Sequence, residues 1–132
     1  MPYLIDTNIA IHAADGDERV LSKFELHEGD IVMSVLSLVE LQRGLYKHPA
    51  HTALRRLRLA VLTEAIPVLP FDAPAAEAYG QIIAQCGWVR GRDYDRMIAA
   101  HAIAIGAVLV TRNYADFRDV PGLELDDWSD RA

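Results

Sequence analysis

The chain has 132 residues and a formal net charge of −6, with 52% hydrophobic and 24% charged residues. This is the composition of one ordinary globular domain and excludes an intrinsically disordered or collagen-like chain. A single cysteine, Cys86, excludes an internal disulfide framework and a cysteine-built zinc site, and a reducing, cytoplasmic setting is expected.

Tyr3-Leu4-Ile5 reads as a short buried strand ending at Asp6. The opening residues carry no basic run followed by a long apolar stretch, so no signal peptide is expected. A helix is predicted from about Asn8 to Ala14, broken by Asp15-Gly16-Asp17. Asp17 suits the cap of a second helix to about His27, with Val20, Leu21 and Phe24 on one face. Ile31-Val32-Met33 is a second buried strand. Val35 to Leu45 and Ala50 to Ala65 carry helical apolar spacing, the latter through Leu54, Leu57, Val61 and Leu62. Ile66 to Phe71 is extended, and Pro67 and Pro70 make it an edge strand. Asp72 suits the cap of a helix to about Gln85, with Pro74 in its first turn.

After a loop from Gly87 to Arg92, a helix runs from about Asp93 to Ile105 and stops at Gly106. Ala107 to Val110 is a further strand, Asn113 to Phe117 a helical turn and Leu123 to Leu125 a last short strand. The most apolar segment, Met97 to Val110, is interrupted by His101 and Gly106 and falls short of the ~20 residues of a membrane span, so no membrane partner is expected. Strands apolar on both faces and separated by helices predict a single α/β domain over 1–132, with a mostly parallel sheet of four to five strands flanked by helices. Ligands of such sheets sit beyond the carboxyl ends of the strands.

Four acids stand near those ends. Asp6 directly follows the first strand, and its ordinary structural role is to cap the next helix. Glu40 interrupts an apolar pattern; an ion pair with Arg43 is its ordinary explanation. Asp95 opens the most apolar helix, where the helix dipole favours an acid and Asp93 competes for the cap. Asp116 follows Thr111-Arg112-Asn113 by one turn and reads equally as a surface acid. Singly none is specific. Gathered at one end of one sheet they repel one another, and a cation makes such a cluster tolerable. Hard oxygen donors favour Mg2+ or Mn2+ over zinc. The histidines show no ligand spacing, and His101 is expected to pack within its helix. Residues 41–112 carry a net charge of +4 inside this acidic chain, which leaves room for a polyanion.

Four segments resemble, in order, the motifs of PIN-domain ribonucleases: Leu4-Ile5-Asp6-Thr7-Asn8, Ser37-Leu38-Val39-Glu40-Leu41-Gln42-Arg43-Gly44, Tyr94-Asp95-Arg96-Met97-Ile98-Ala99-Ala100-His101-Ala102, and Val110-Thr111-Arg112-Asn113-Tyr114-Ala115-Asp116-Phe117. Val120 to Leu123 and Asp127-Trp128 complete the pattern. Within that family the chain is similar to the VapC toxins of bacterial toxin–antitoxin pairs. The resemblance implies a PIN-like α/β fold, a metal-dependent endoribonuclease toxin acting on structured RNA such as tRNA and so inhibiting translation, a homodimer and a VapB-type antitoxin. It assigns the acidic roles to Asp6, Glu40 and Asp95. The fourth acid falls on Asp116, with Asn113, where many members carry Asp, as a polar support. Direct metal ligation is expected of Asp6 and Asp95, and support from Thr7, Asn8 and Thr111. Arg90, Arg92, Arg96 and Arg112 flank the motifs and are candidates for phosphate contact. Trp88 is expected to pack on its own domain, with base stacking as the alternative. Arg55, Arg56 and Arg58 form a second basic cluster facing RNA, a partner subunit or water. Leu45, Tyr46, Leu54 and Leu57 are candidates for an antitoxin groove, for core or for a dimer interface. Two rivals are an aspartyl-phosphate phosphatase, which wants an acid where Asn8 stands, and a non-catalytic RNA- or protein-binding module.

Overall fold

A computed structural model describes residues 1–129. In chain order its elements are β1 (Tyr3–Ile5), α1 (Thr7–Ala14), α2 (Glu18–Leu26), β2 (Ile31–Ser34), α3 (Val35–Leu45), α4 (Thr52–Ala65), β3 (Val68–Leu69), α5 (Ala73–Cys86), α6 (Asp93–Ala104), β4 (Val108–Val110), α7 (Tyr114–Phe117) and β5 (Leu125–Asp126). The five strands form one sheet in the order β3-β2-β1-β4-β5, and every neighbouring pair is parallel.

The pleat of β1 sends its two buried side chains to opposite faces, so both layers are anchored on one short strand. Leu4 belongs to the layer of Leu109, Ile98 and Phe117 under α5, α6 and α7. Ile5 belongs to the layer of Val110, Met33, Ile9 and Trp128 under α1, α2 and α4. The register pairs Leu4 with Leu109 and Ile5 with Val110, which is why the β4 side chains sort into the same layers. Helices α5 and α6 pack against each other, and Ala75 of α5 and Ala99, Ala100 and Ala102 of α6 are buried.

Three devices fix the helices to the sheet. Asp17 accepts from the N–H groups of Arg19 and Val20, and Asp72 from that of Ala75, so both are the caps the sequence predicts. Helix α6 closes with Ala107 N–H donating to Ala102 C=O and Gly106 N–H to Ile103 C=O, a pair of bonds that places Gly106 at φ +66°. His101 is buried and its Nδ1 lies 2.8 Å from the Ser34 hydroxyl, tying α6 to the end of β2. Burial holds the His101 pKa below its usual value.

Some boundaries move. The predicted edge strand is an edge strand, but only Val68 and Leu69 pair, because a proline stands on each side. The last strand lies at Leu125–Asp126 rather than Leu123–Leu125. Helix α4 starts at Thr52, after a 3-10 turn over Pro49–His51. Leu21, predicted on the packed face of α2, is exposed, while Val20 is buried and Phe24 partly so. Among the described residues no helix is long and apolar enough to cross a membrane.

Candidate functional site

From β1 the strand order runs one way to β2 and β3 and then restarts on the other side with β4 and β5. A crevice opens at such a reversal, beyond the carboxyl ends of the strands. Asp6 is the first residue past β1, and its N–H donates to Val110 C=O at 3.0 Å. Its Oδ1 accepts the Ile9 N–H at 2.9 Å, so it caps α1 while standing at the crevice. The capping role and the site role are thus compatible. Thr111, the first residue past β4, is buried; its hydroxyl accepts from Asn113 N–H at 3.0 Å and donates to the Asp6 carboxylate.

Glu40 comes to the same place from α3, where its Oε1 accepts from the Thr7 hydroxyl. The helix-face ion pair to Arg43 is absent among the described residues: the salt bridges there leave Glu40 out. Asp95 arrives from the first turn of α6. Neither Asp95 nor Asp93 caps that helix; Arg92 occupies the cap position without a side-chain bond, and Asp93 accepts from the Tyr79 hydroxyl.

Asp6, Glu40 and Asp95 line one cavity of about 610 Å³, together with Thr7, Asn8, Tyr94 and Asn113. Its α3–α4 side carries Arg43, Lys47, Arg55 and Arg58, and Ile11, Leu41 and Leu59 lie on the wall between. Asp116 is not on this wall, but its charge acts on Asp95. Asn113 is on the wall. Among the described residues no three His, Cys, Asp or Glu side chains converge tightly enough to form a ready-made metal cage.

The electrostatics show what gathering these acids costs. Burial raises the pKa of Asp6, which is only 7% exposed; the bonds from Thr111 and Ile9 oppose this, and the charges of Glu40 and Asp127 add to the rise. Asp95 is pushed up to about 6, first by burial and then by Asp116, Glu40 and Asp6. Tyr94 keeps its proton to higher pH than usual, through burial and the nearby Glu40. Its buried hydroxyl makes no regular hydrogen bond.

The sequence missed two neighbours of this site. Asp127 follows β5 and acts on Asp6; its signal was its place one residue beyond a strand end, as for Asp6. The other is Tyr94, whose signal was its place beside Asp95 in the third motif.

Several expectations are corrected. Arg96 is no RNA contact: it is 1% exposed, and its guanidinium forms two bonds of 3.1 and 3.0 Å with the Asp119 carboxylate. Consecutive residues of a helix project about 100° apart, so Asp95 faces the cavity while Arg96 turns away from it to Asp119. Trp88 does not pack on its own domain and is 61% exposed, since its loop lies off both layers. Arg112 is exposed and lies 2.9 Å from Nε2 of His12; Arg90 is exposed and Arg92 half-buried. Leu45 is core, whereas Tyr46, Leu54 and Leu57 are exposed.

Known proteins resemble this chain over nearly its whole length. Residues 3–123 match the family model of the PIN domain. A tRNA(fMet)-specific endonuclease VapC of Shigella flexneri is 35% identical over 98% of this chain and 99% of its own length. A ribonuclease VapC2 of Rickettsia felis is 31% identical over 97% of this chain and 98% of its own. In three dimensions, a VapBC of Salmonella typhimurium crystallised with DNA superposes with a TM-score of 0.87 at 31% identity, covering 97% of this chain and 98% of that one. The sheet order, the strand-end acids and these full-length likenesses agree, and the chain belongs to the PIN-domain family, in its VapC branch.

Proposed function

We propose that this chain is the endoribonuclease toxin of a VapBC-type pair, hydrolysing a phosphodiester of structured RNA, with tRNA as the substrate class, and so inhibiting translation. The observation that carries it is the convergence of Asp6, Glu40 and Asp95, from three separate elements, on one cavity at the carboxyl edge of the sheet. The likeness to a tRNA(fMet)-specific endonuclease supports the substrate class. A VapB-type antitoxin, a homodimer and a cytoplasmic setting belong to the same reading, the first supported by the superposition on VapBC complexes.

The donors fit a hard divalent cation. They are carboxylates, two of them with raised pKa values because burial and neighbouring anions disfavour their charges, and positive charge relieves both effects. Mg2+ or Mn2+ held by Asp6 and Asp95, with Glu40 and Asp116 nearby, fits a family of sites in which one or two carboxylates bind and water fills the rest, so no closed cage of three acids is needed. When bound, such an ion lowers the pKa of water and stabilises negative charge on phosphate oxygens. The protein's own share is positioning. Thr111 and the Ile9 N–H hold the Asp6 carboxylate, and Thr7 holds Glu40.

Incubating the purified protein with initiator tRNA, with and without Mn2+, tests the reading. Cleavage that needs the ion and falls more than about a hundredfold in Asp6→Asn is the expected result. Asparagine still accepts the Ile9 N–H, so the variant folds. Absence of cleavage by the wild type on initiator and bulk tRNA, or full activity in Asp6→Asn, overturns it. Asn113, standing where many members of the family carry Asp, is what favours one rival, a non-catalytic binding module. That rival predicts no uptake of Mn2+ in a calorimetric titration.

A further inference from the structure

The cavity is polar in a directional sense. Asp6, Glu40 and Asp95 lie where β1, α3 and α6 meet, and four basic residues, with Asp15 beside one of them, occupy its α3–α4 side. These four are not equivalent. Arg58 is offset by Asp15, 3.0 Å away. Arg55 donates to Gly44 C=O at 2.9 Å, which fixes its guanidinium at the carboxyl end of α3, where the helix dipole favours a cation. The side chains of Arg43 and Lys47 have no hydrogen bond or ion pair among the described residues, and both are exposed. Positive charges left without a protein partner on the wall of this cavity call for an anion from outside.

Their spacing says which anion. Arg43 follows Glu40 by three residues, one helical turn and roughly 4.5 Å along the axis, and Lys47 lies beyond it in the same direction. Between them Gly44 presents bare backbone, with no atom within 4 Å of where a Cβ would stand. A chain of phosphates reaching the acids at one end can therefore run along this open strip and meet a cation at successive steps. An isolated anion would use only one of them.

We infer that Arg43, Lys47 and Arg55 form a phosphate-binding track that holds the RNA strand on the α3–α4 side of the linkage to be cut. This rests on the ribonuclease reading above and adds the direction in which the substrate lies. It also moves substrate contact away from the basic residues that flank the third motif, of which Arg96 is already spent on Asp119. The aliphatic wall formed by Ile11, Leu41 and Leu59 between acids and bases is a surface for a sugar or base of the same strand.

The test compares Arg43→Ala/Lys47→Ala with the wild type and with the charge-keeping Arg43→Lys/Lys47→Arg. KM is measured on tRNA in the active proteins, and RNA affinity is measured from about 50 to 200 mM salt in an Asp6→Asn background, where no cleavage interferes. Each phosphate contact of a single strand contributes about 0.7 to the slope of log affinity against log salt. The alanine pair is expected to lower that slope by about 1.4 and to raise KM about tenfold with a much smaller change in kcat. The charge-keeping pair restores both, a rescue that a merely structural role does not produce. An unchanged slope and KM in a wild type that cleaves RNA overturns the track and leaves the ribonuclease reading standing. An unchanged slope with weakened inhibition by the antitoxin also overturns it, in favour of an acidic protein segment on the same strip. Failure of the parent protein either to bind or to cleave RNA overturns both.

Discussion

Asp95 shows how a single side chain reports the purpose of its surroundings. Its pKa of about 6 comes from burial and from three neighbouring acids, so the folded, metal-free protein holds the Asp95 charge against its environment at neutral pH. The sign follows from linkage: folding raises this pKa from 3.8, so the stability tied to Asp95 is present below about pH 4 and is lost as pH rises through about 6. Asp95→Asn removes that penalty. Thermal melts in chelator are expected to show the variant more stable than wild type at pH 7.5 by roughly 1 kcal/mol, allowing for partial exposure, with the gain vanishing near pH 4. A gain that persists at pH 4 is not electrostatic and contradicts this account.

At the scale of elements, the strand ends do the positioning and the helices lock them. Helix α6 carries Asp95 toward the cavity and, on its other faces, two anchors. One is Arg96, whose charge is buried and whose partner Asp119 is about half exposed. Asp119→Ala leaves a buried guanidinium without its counter-ion and is expected to cost about 3 kcal/mol in chemical denaturation. The other is His101 on Ser34. Ser34→Ala orphans a buried ring nitrogen and is expected to cost roughly 1–3 kcal/mol. Because β2 and α6 meet at that bond, this variant should also lower kcat, by loosening Asp95 against Asp6. Equal kcat with lowered stability would separate the anchor from the site.

Over the whole molecule, the formal charge of −6 is opposed to an RNA partner only on average. The fold gathers acids at the strand ends and leaves Arg43 and Lys47 beside them, so the local field differs from the total. A divalent ion that binds the folded state alone stabilises it by mass action, about 2.7 kcal/mol at a hundredfold excess over its Kd. Melting wild type in millimolar Mg2+ and then in chelator is expected to show that difference as a fall in Tm, strongly reduced in Asp6→Asn. An identical Tm in both buffers speaks against a cation in the cavity.

Much of this was legible in the residues themselves. Unbroken apolar triplets such as Tyr3-Leu4-Ile5 and Val108-Leu109-Val110, separated by periodic helices, dictate a parallel sheet, because only strands covered on both faces dispense with alternation. Asp17, Asp72 and Gly106 mark helix ends by local chemistry alone, and the order of the four motifs carried the family. What remained open were properties that no local pattern encodes. Whether Glu40 pairs with Arg43 on its own helix or with Thr7, 33 residues away, is decided by which faces the packed layers leave open. The inward turn of Arg96, the approach of Asp127 to Asp6 and the outward turn of Trp88 are of the same kind. The sequence alone determined which groups are acids and where strands end, since chain connectivity and side-chain chemistry are local. Only the tertiary structure decided which of those charges share one cavity, because that depends on contacts between segments far apart in the chain.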